Sequence, residues 1–215
     1  MGGSRMNKKV IMSIASAACL LAACGGTPEE QAVDVFEEAA QAESEFVKQQ
    51  ETLSDLEKKE QNIFQDMMAV SKEEESKIKE LGEEADKILK ERAEVFAKEQ
   101  EAMEKSASAI EELDELGNIE GERLNEQLGE LRKTAGARYK EYDEIETLYT
   151  ENIELNEKLF DMMEDKEAKL KDVEEQLEKI NAGSEKLIQA NEKFNQLTNQ
   201  FNKQRAAFEE ALSKS

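Results

Sequence analysis

The 215-residue chain has no histidine, no tryptophan, one proline, two cysteines and only 5% aromatic residues. Without histidine there is no imidazole base for Ser-His-Asp or Cys-His nucleophilic systems, and the Glu plus Glu-x-x-His ligand set of di-iron bundles cannot be assembled. No Gly-rich phosphate loop and no Asp-x-Asp-x-Asp-Gly calcium loop occurs. Both cysteines, Cys19 and Cys24, lie near the start, so no disulfide framework can staple the remainder. The one proline is Pro28, which leaves everything after it free of the strongest helix breaker. Basic charge is also short. The 29 Lys and Arg face 51 Asp and Glu, a net charge of −22, and such a chain is repelled by nucleic acid, anionic lipid head groups and anionic wall polymers. Runs such as Glu73-Glu74-Glu75 then read as solvated helix faces, and Lys and Glu three or four residues apart read as exposed pairs. We therefore expect a protein that is not an enzyme, with no cofactor, no metal and no nucleic-acid partner.

What is present begins with a leader. Lys8 and Lys9 precede an apolar run from Val10 to Ala23, which has the dimensions of a signal-peptide core and is shorter than the roughly 20 residues of a spanning helix. It ends in Leu21-Ala22-Ala23-Cys24-Gly25, a lipobox: Leu21 and the small Ala22 and Ala23 suit a peptidase cleft, and the Cys24 thiol can accept a diacylglyceryl group. The expectation is cleavage between Ala23 and Cys24, with residues 1–23 removed as signal peptide, 24–28 serving as the tether and 29–215 forming one helical domain. Removal of 1–23 takes away Arg5, Lys8 and Lys9 and no acid, which moves the net charge to −25. Location follows: the cell membrane, lipid-anchored, on the extracytoplasmic face.

Beyond the tether, 37% charged and 38% hydrophobic residues match a long-helix composition. Thr27 can cap a helix that has Pro28 in its first turn, with Glu29 and Glu30 at the positive end of the dipole. Apolar residues then recur at helical spacing through Leu53, Leu56, Ile63, Met67 and Val70, with Glu60 at one inward position. Ser71-Lys72-Glu73-Glu74 has the form of a capping box, which predicts a turn near 70–75 and a second helix to about Leu116. The alternative is one long, kinked helix through residue 71, giving three helices in all. Gly117 and Gly121 bracket Asn118 and mark the clearest break. A third helix follows through Leu124, Tyr142 and Leu159, and residues 164–168 form a further turn. The last helix has the most regular seam, from Leu170, Val173, Leu177, Ile180 and Leu187 to Phe194, Phe201, Phe208 and Leu212, with the polar Ser184, Asn191, Thr198 and Arg205 at its other position. The predicted fold is all-α, an elongated antiparallel up-and-down four-helix bundle. Its lipid end, the Gly117 loop and the C-terminus should share one end.

The opposite end should carry two similar stretches, Ile63-Phe64-Gln65-Asp66-Met67-Met68 and Leu159-Phe160-Asp161-Met162-Met163. Methionine repacks readily against varied surfaces, so Met67, Met68, Met162 and Met163 are the candidate partner-binding tip, against the plainer reading that they fill the end of the core. A Leu-Ala-Ala-Cys-Gly lipobox, an immediate Thr-Pro-Glu-Glu helix start and a long acidic helical remainder without His or Trp resemble the YkyA-type lipoproteins of Gram-positive bacteria. The resemblance implies a helical bundle, as in a staphylococcal member, and implies binding to the cell wall, which the acidic charge does not favour electrostatically. It carries over no catalytic residue. The expected partners are the membrane, through the N-terminal lipid, and cell-wall material or another envelope protein. The expected role is a binding, spacer or scaffold module, with an extracytoplasmic holdase for secreted chains as the alternative.

Overall fold

A computed structural model of the chain describes residues 26–71, 73–116 and 119–214. Ala23 and Cys24 lie outside the described residues, as do Gly117 and Asn118. Four long helices, α1 (Pro28–Ala69), α2 (Glu75–Glu111), α3 (Glu122–Glu164) and α4 (Leu170–Leu212), are joined by short connections, with a 3-10 turn Glu112–Glu115 extending α2. The bundle is antiparallel, and at 1.5 Å per residue each helix runs roughly 55–65 Å. None of the described helices is long and apolar enough to cross a membrane.

The start of α1 follows its sequence. Thr27 Oγ1 accepts from the Glu30 N–H at 3.3 Å, and Glu30 Oε2 accepts from the Thr27 N–H at 3.1 Å, a complete capping box with Pro28 at the first helical position. The second box forms one turn early. Ser71 and Glu74 do exchange contacts, with the Ser71 N–H donating to Glu74 Oε2 at 3.3 Å, but they close the turn itself and α2 begins only at Glu75. The chain thus reverses at 70–74, and the continuous-helix alternative is not what forms. Gly121, at φ 108°, enters α3 through a left-handed conformation that other residues rarely adopt. Asn125 ties this loop down, its Nδ2 donating to the carbonyls of Ile119 at 2.6 Å and Gly121 at 2.8 Å.

Two hairpins, α1–α2 and α3–α4, pack closely along their lengths and are joined side by side through α2 and α3. The backbones of α1 and α4 scarcely approach each other, so large side chains close that fourth seam. At the base of the rod Phe36 of α1 meets Phe201 and Phe208 of α4 edge-on, with centroids 6.1 and 6.0 Å apart, and Phe46 meets Phe194 at 6.1 Å. The N-terminus of α1, the loop before α3 and the C-terminus share this base, where Leu113, Ile119, Leu131 and Phe208 are fully enclosed. The turns at 70–74 and 165–169 form the other end, the tip.

Between apolar clusters the core carries polar layers spaced one heptad apart. Nearest the base, Arg138 of α3 donates to both carboxylate oxygens of Glu43 of α1, at 2.8 and 2.9 Å, and to Thr198 of α4 at 2.7 Å. Ser106 of α2 donates to the same carboxylate at 2.8 Å, so all four helices meet there. In the middle layer the fully buried Glu99 of α2 accepts from Gln50 of α1 at 2.8 Å and from Tyr142 of α3 at 3.1 Å. Toward the tip, Arg92 of α2 pairs with Glu60 and Glu57 of α1 and donates to Tyr149 of α3 at 3.2 Å. Removing one member of a buried pair strands the other charge at a cost of several kcal/mol. Arg138→Met is expected to lower the unfolding free energy by roughly 3 kcal/mol in urea denaturation followed by circular dichroism, with most of the loss recovered when Glu43→Leu is added. Additive losses in the double variant would show that the pair is not coupled.

Candidate functional site

The sequence places one seam of unbroken phase along α4, polar at every second position from Ser184 onward, and the structure buries only part of its apolar residues. Phe194, Phe201 and Phe208 are buried, but toward the tip Val173, Leu177, Ile180 and Leu187 are only half-buried, and Leu170 and Ile188 are 69% and 58% exposed. The enclosed position in that half is taken by Gln176, whose Nε2 donates to the Leu155 carbonyl of α3 at 2.7 Å. The phenylalanine part of the stripe is core and the rest is not. The tip half of α4 is held to α3, and its apolar row faces a gap.

That gap is an open groove of about 450 Å³ between α1 and α4, floored by α3. Its α1 wall is Glu57, Glu60, Gln61 and Phe64, its floor includes Asn152, Asn156, Leu159 and Phe160, and its α4 wall runs from Leu177 to Ile188. The physical reason lies in the polar layers. The base layer includes Thr198 of α4, whereas the tip layer links α1, α2 and α3 and has no α4 member. Phenylalanines bridge the wide seam near the base; leucine, isoleucine, serine and asparagine replace them nearer the tip and cannot reach across.

The groove carries polar chemistry as well as apolar wall. Arg92, 3% exposed, reaches its floor and serves two carboxylates, Glu60 and Glu57, so one negative charge is left over. Burial pushes the Glu60 carboxyl up even with Arg92 against it. Asn152 Nδ2 donates to Ser184 of α4 at 3.3 Å, and Asn156 donates back to Asn152 at 3.0 Å. Asn181 and Gln61 line the opening on opposite sides. Among the described residues no group of three or more His, Cys, Asp or Glu is arranged to hold a metal ion.

The four methionines divide. Met67 is 5% exposed and belongs to the core at the tip, packed with Ile63, Leu81 and Phe160. Met163 is half-buried against the same cluster, Met162 is half-buried, and Met68 is 58% exposed. By helical spacing, Met68 continues the row Glu57, Gln61, Phe64 of α1, and Met163 continues the row Asn152, Asn156, Leu159 of α3. None of the four lines the groove, and by this spacing Met68 and Met163 stand one turn beyond its tip end. Sequence reasoning missed the groove and its polar lining apart from Glu60, which it placed at an inward position. The available signal was the heptad spacing of Glu43, Gln50 and Glu57 in α1, Arg92, Glu99 and Ser106 in α2, and Tyr142 and Tyr149 in α3.

Together these features define an elongated helical-bundle protein, closed at its base and open along one side toward its tip. The chain belongs to the YkyA family, whose profile matches residues 27–211 and whose description is "Putative cell-wall binding lipoprotein". It is 29% identical over 152 residues to the "Uncharacterized lipoprotein YkyA" of Bacillus subtilis (strain 168), covering 70% of this chain and 68% of that one. Its fold is similar to that of a conserved Staphylococcus aureus protein of unknown function solved by crystallography, with a TM-score of 0.72 at 18% identity, covering 84% of this chain and 91% of the other. Family membership makes the chain an envelope lipoprotein.

The buried middle layer beside the groove should be visible in a pH titration. Glu99 has no cation against it, and burial raises its carboxyl from 4.5 to about 7. The folded state therefore keeps a proton that the unfolded chain releases, so stability falls as pH rises from 4.5 through about 7. Relative to Glu99→Gln, the natural chain should lose roughly 2–3 kcal/mol between pH 5 and pH 8 in parallel urea titrations. Parallel curves for the two proteins would refute this.

Proposed function

We propose that the protein is a non-catalytic binding module, tethered through Cys24 on the extracytoplasmic face of the membrane, that presents its tip-half groove to an envelope partner. The observation that carries this reading is the half-exposed apolar row of α4, from Leu177 to Ile188, facing α1 across an open groove. A contiguous apolar surface rimmed by polar groups is costly to leave in water and marks an interaction site. Position supports it too. α1 begins at Pro28, four residues after Cys24, so the base stands within about 14 Å of the lipid at full extension and the groove is held away from the membrane. The cell-wall description of the family fits a partner met at that height.

The test is photocrosslinking in intact cells, with a photoreactive residue at Ile188 or Met68 and a control at exposed Lys87 of α2. A discrete set of adducts from the first two positions, absent from the third, is the expected outcome. Adding Met68→Ser and Met163→Ser to the Ile188 probe should remove those adducts with helix content unchanged, whereas Met67→Ser, in the core, should cost about 2–4 kcal/mol of stability. Equal adducts from all three probes would refute the groove as a recognition surface and favour a spacer or a holdase.

A further inference from the structure

The walls of the groove differ in charge in a way that narrows what it accepts. On α4, Glu178, Glu185 and Glu192 lie one heptad apart on the solvent edge of the groove, on the same side of the helix as the lining residues Asn181 and Ile188. All three are exposed, and none has an ion-pair partner among the described residues. Lys179, Lys186 and Lys193 follow each of them by one residue and so fall about 100° further round, on the side of α4 that faces α3, where Lys193 pairs with Glu141. The segregation leaves the edge acidic along the groove wall from Leu177 to Ile188, while Lys171, one heptad before Glu178, lies beyond the tip end of that wall and pairs with Glu175. On the α1 wall, two carboxylates, Glu57 and Glu60, share the single Arg92, so that wall too carries surplus negative charge.

The apolar wall from Leu177 to Ile188 is about 16 Å long, the length of three helical turns. A helix laid there would offer apolar residues at i, i+3 or i+4 and i+7 to the groove and a flank to the acidic heptad row, as e and g charges do in a coiled coil. We propose that the groove receives an amphipathic α-helix with a basic flank, supplied by another protein, which completes the tip half of the bundle as a fifth helix. This rests on the reading of the groove as the recognition surface and adds the chemistry of the occupant. A second copy of the chain is the wrong partner electrostatically, since each molecule carries −22 and would present acid to acid.

The experiment uses the mature chain from Cys24 to Ser215 with Cys24→Ser to omit the lipid, and three synthetic helical peptides of about 18 residues that share one Leu-based apolar face. Their flanks carry Lys, Glu or Gln, and binding is read by fluorescence anisotropy at low and high NaCl. The Lys peptide should bind, more weakly as salt screens the rim charges, and should lose about tenfold or more in affinity against Glu178→Gln/Glu185→Gln/Glu192→Gln and against Ile188→Lys. Lys179→Gln/Lys186→Gln, on the far side, should leave it unchanged. Circular dichroism of each variant guards against loss of fold, which exposed positions should not cause.

Equal binding of Lys and Glu peptides, indifference to Ile188→Lys, or a stable dimer broken by Ile188→Lys in sedimentation would each overturn the proposal, the last by naming a second copy as occupant. Soluble peptidoglycan fragments that bind where the peptides do not would overturn it as well. Discrete in-cell adducts from Ile188 without binding of any Lys peptide would remove this inference and leave the groove as a recognition surface. Absence of both would remove the two together.

Discussion

The interaction on which the rest of the molecule depends is the bidentate pair of Arg138 with Glu43 and the two hydroxyls, Thr198 and Ser106, gathered around it. It is the layer in which a polar group from each of the four helices meets. Two hairpins could pack with several registers on apolar contacts alone, because Leu and Phe stripes tolerate sliding. A planar guanidinium fixed to one carboxylate and one hydroxyl does not. Arg138 also lies over Phe194, with its guanidinium carbon 4.7 Å from the ring centroid, which couples the polar layer to the aromatic closure of the α1–α4 seam.

The groove follows from where that closure ends. Moving toward the tip, each polar layer loses contact with α4: Thr198 takes part at the base, and the middle and tip layers are completed by α1, α2 and α3. Gln176 pins α4 to the Leu155 carbonyl, so α4 follows α3 rather than leaning toward α1. The stripe of α4 continues in phase, but the surface it would bury itself against has moved away. A site thus arises from one helix being satisfied by two neighbours at one end and by one at the other.

Much of the architecture was legible. The capping box at Thr27, the reversal near 70–75, the break around 117–121 and the turn at 164–168 all have local causes: a hydroxyl three residues before a carboxylate, a run without apolar residues, a glycine able to adopt positive φ. Helix packing contributed what sequence spacing could not distinguish. Met67 and Met68 are neighbours of the same type, yet one is core and the other 58% exposed, because a step of one residue turns a side chain by about 100°. Gly82 of α2 is where the Glu164 side chain lies against the helix, in the space that a Cβ would fill.

By itself the sequence determined that the described chain is helical and roughly where its helices begin and end. These depend on composition and on contacts between residues a few positions apart. Only the tertiary structure decided which part of the regular seam of α4 became core and which became a groove wall. Periodicity records the direction in which side chains point along one helix, but burial depends on whether a second helix stands within reach, and that distance was set by the polar layers formed between residues far apart in the chain.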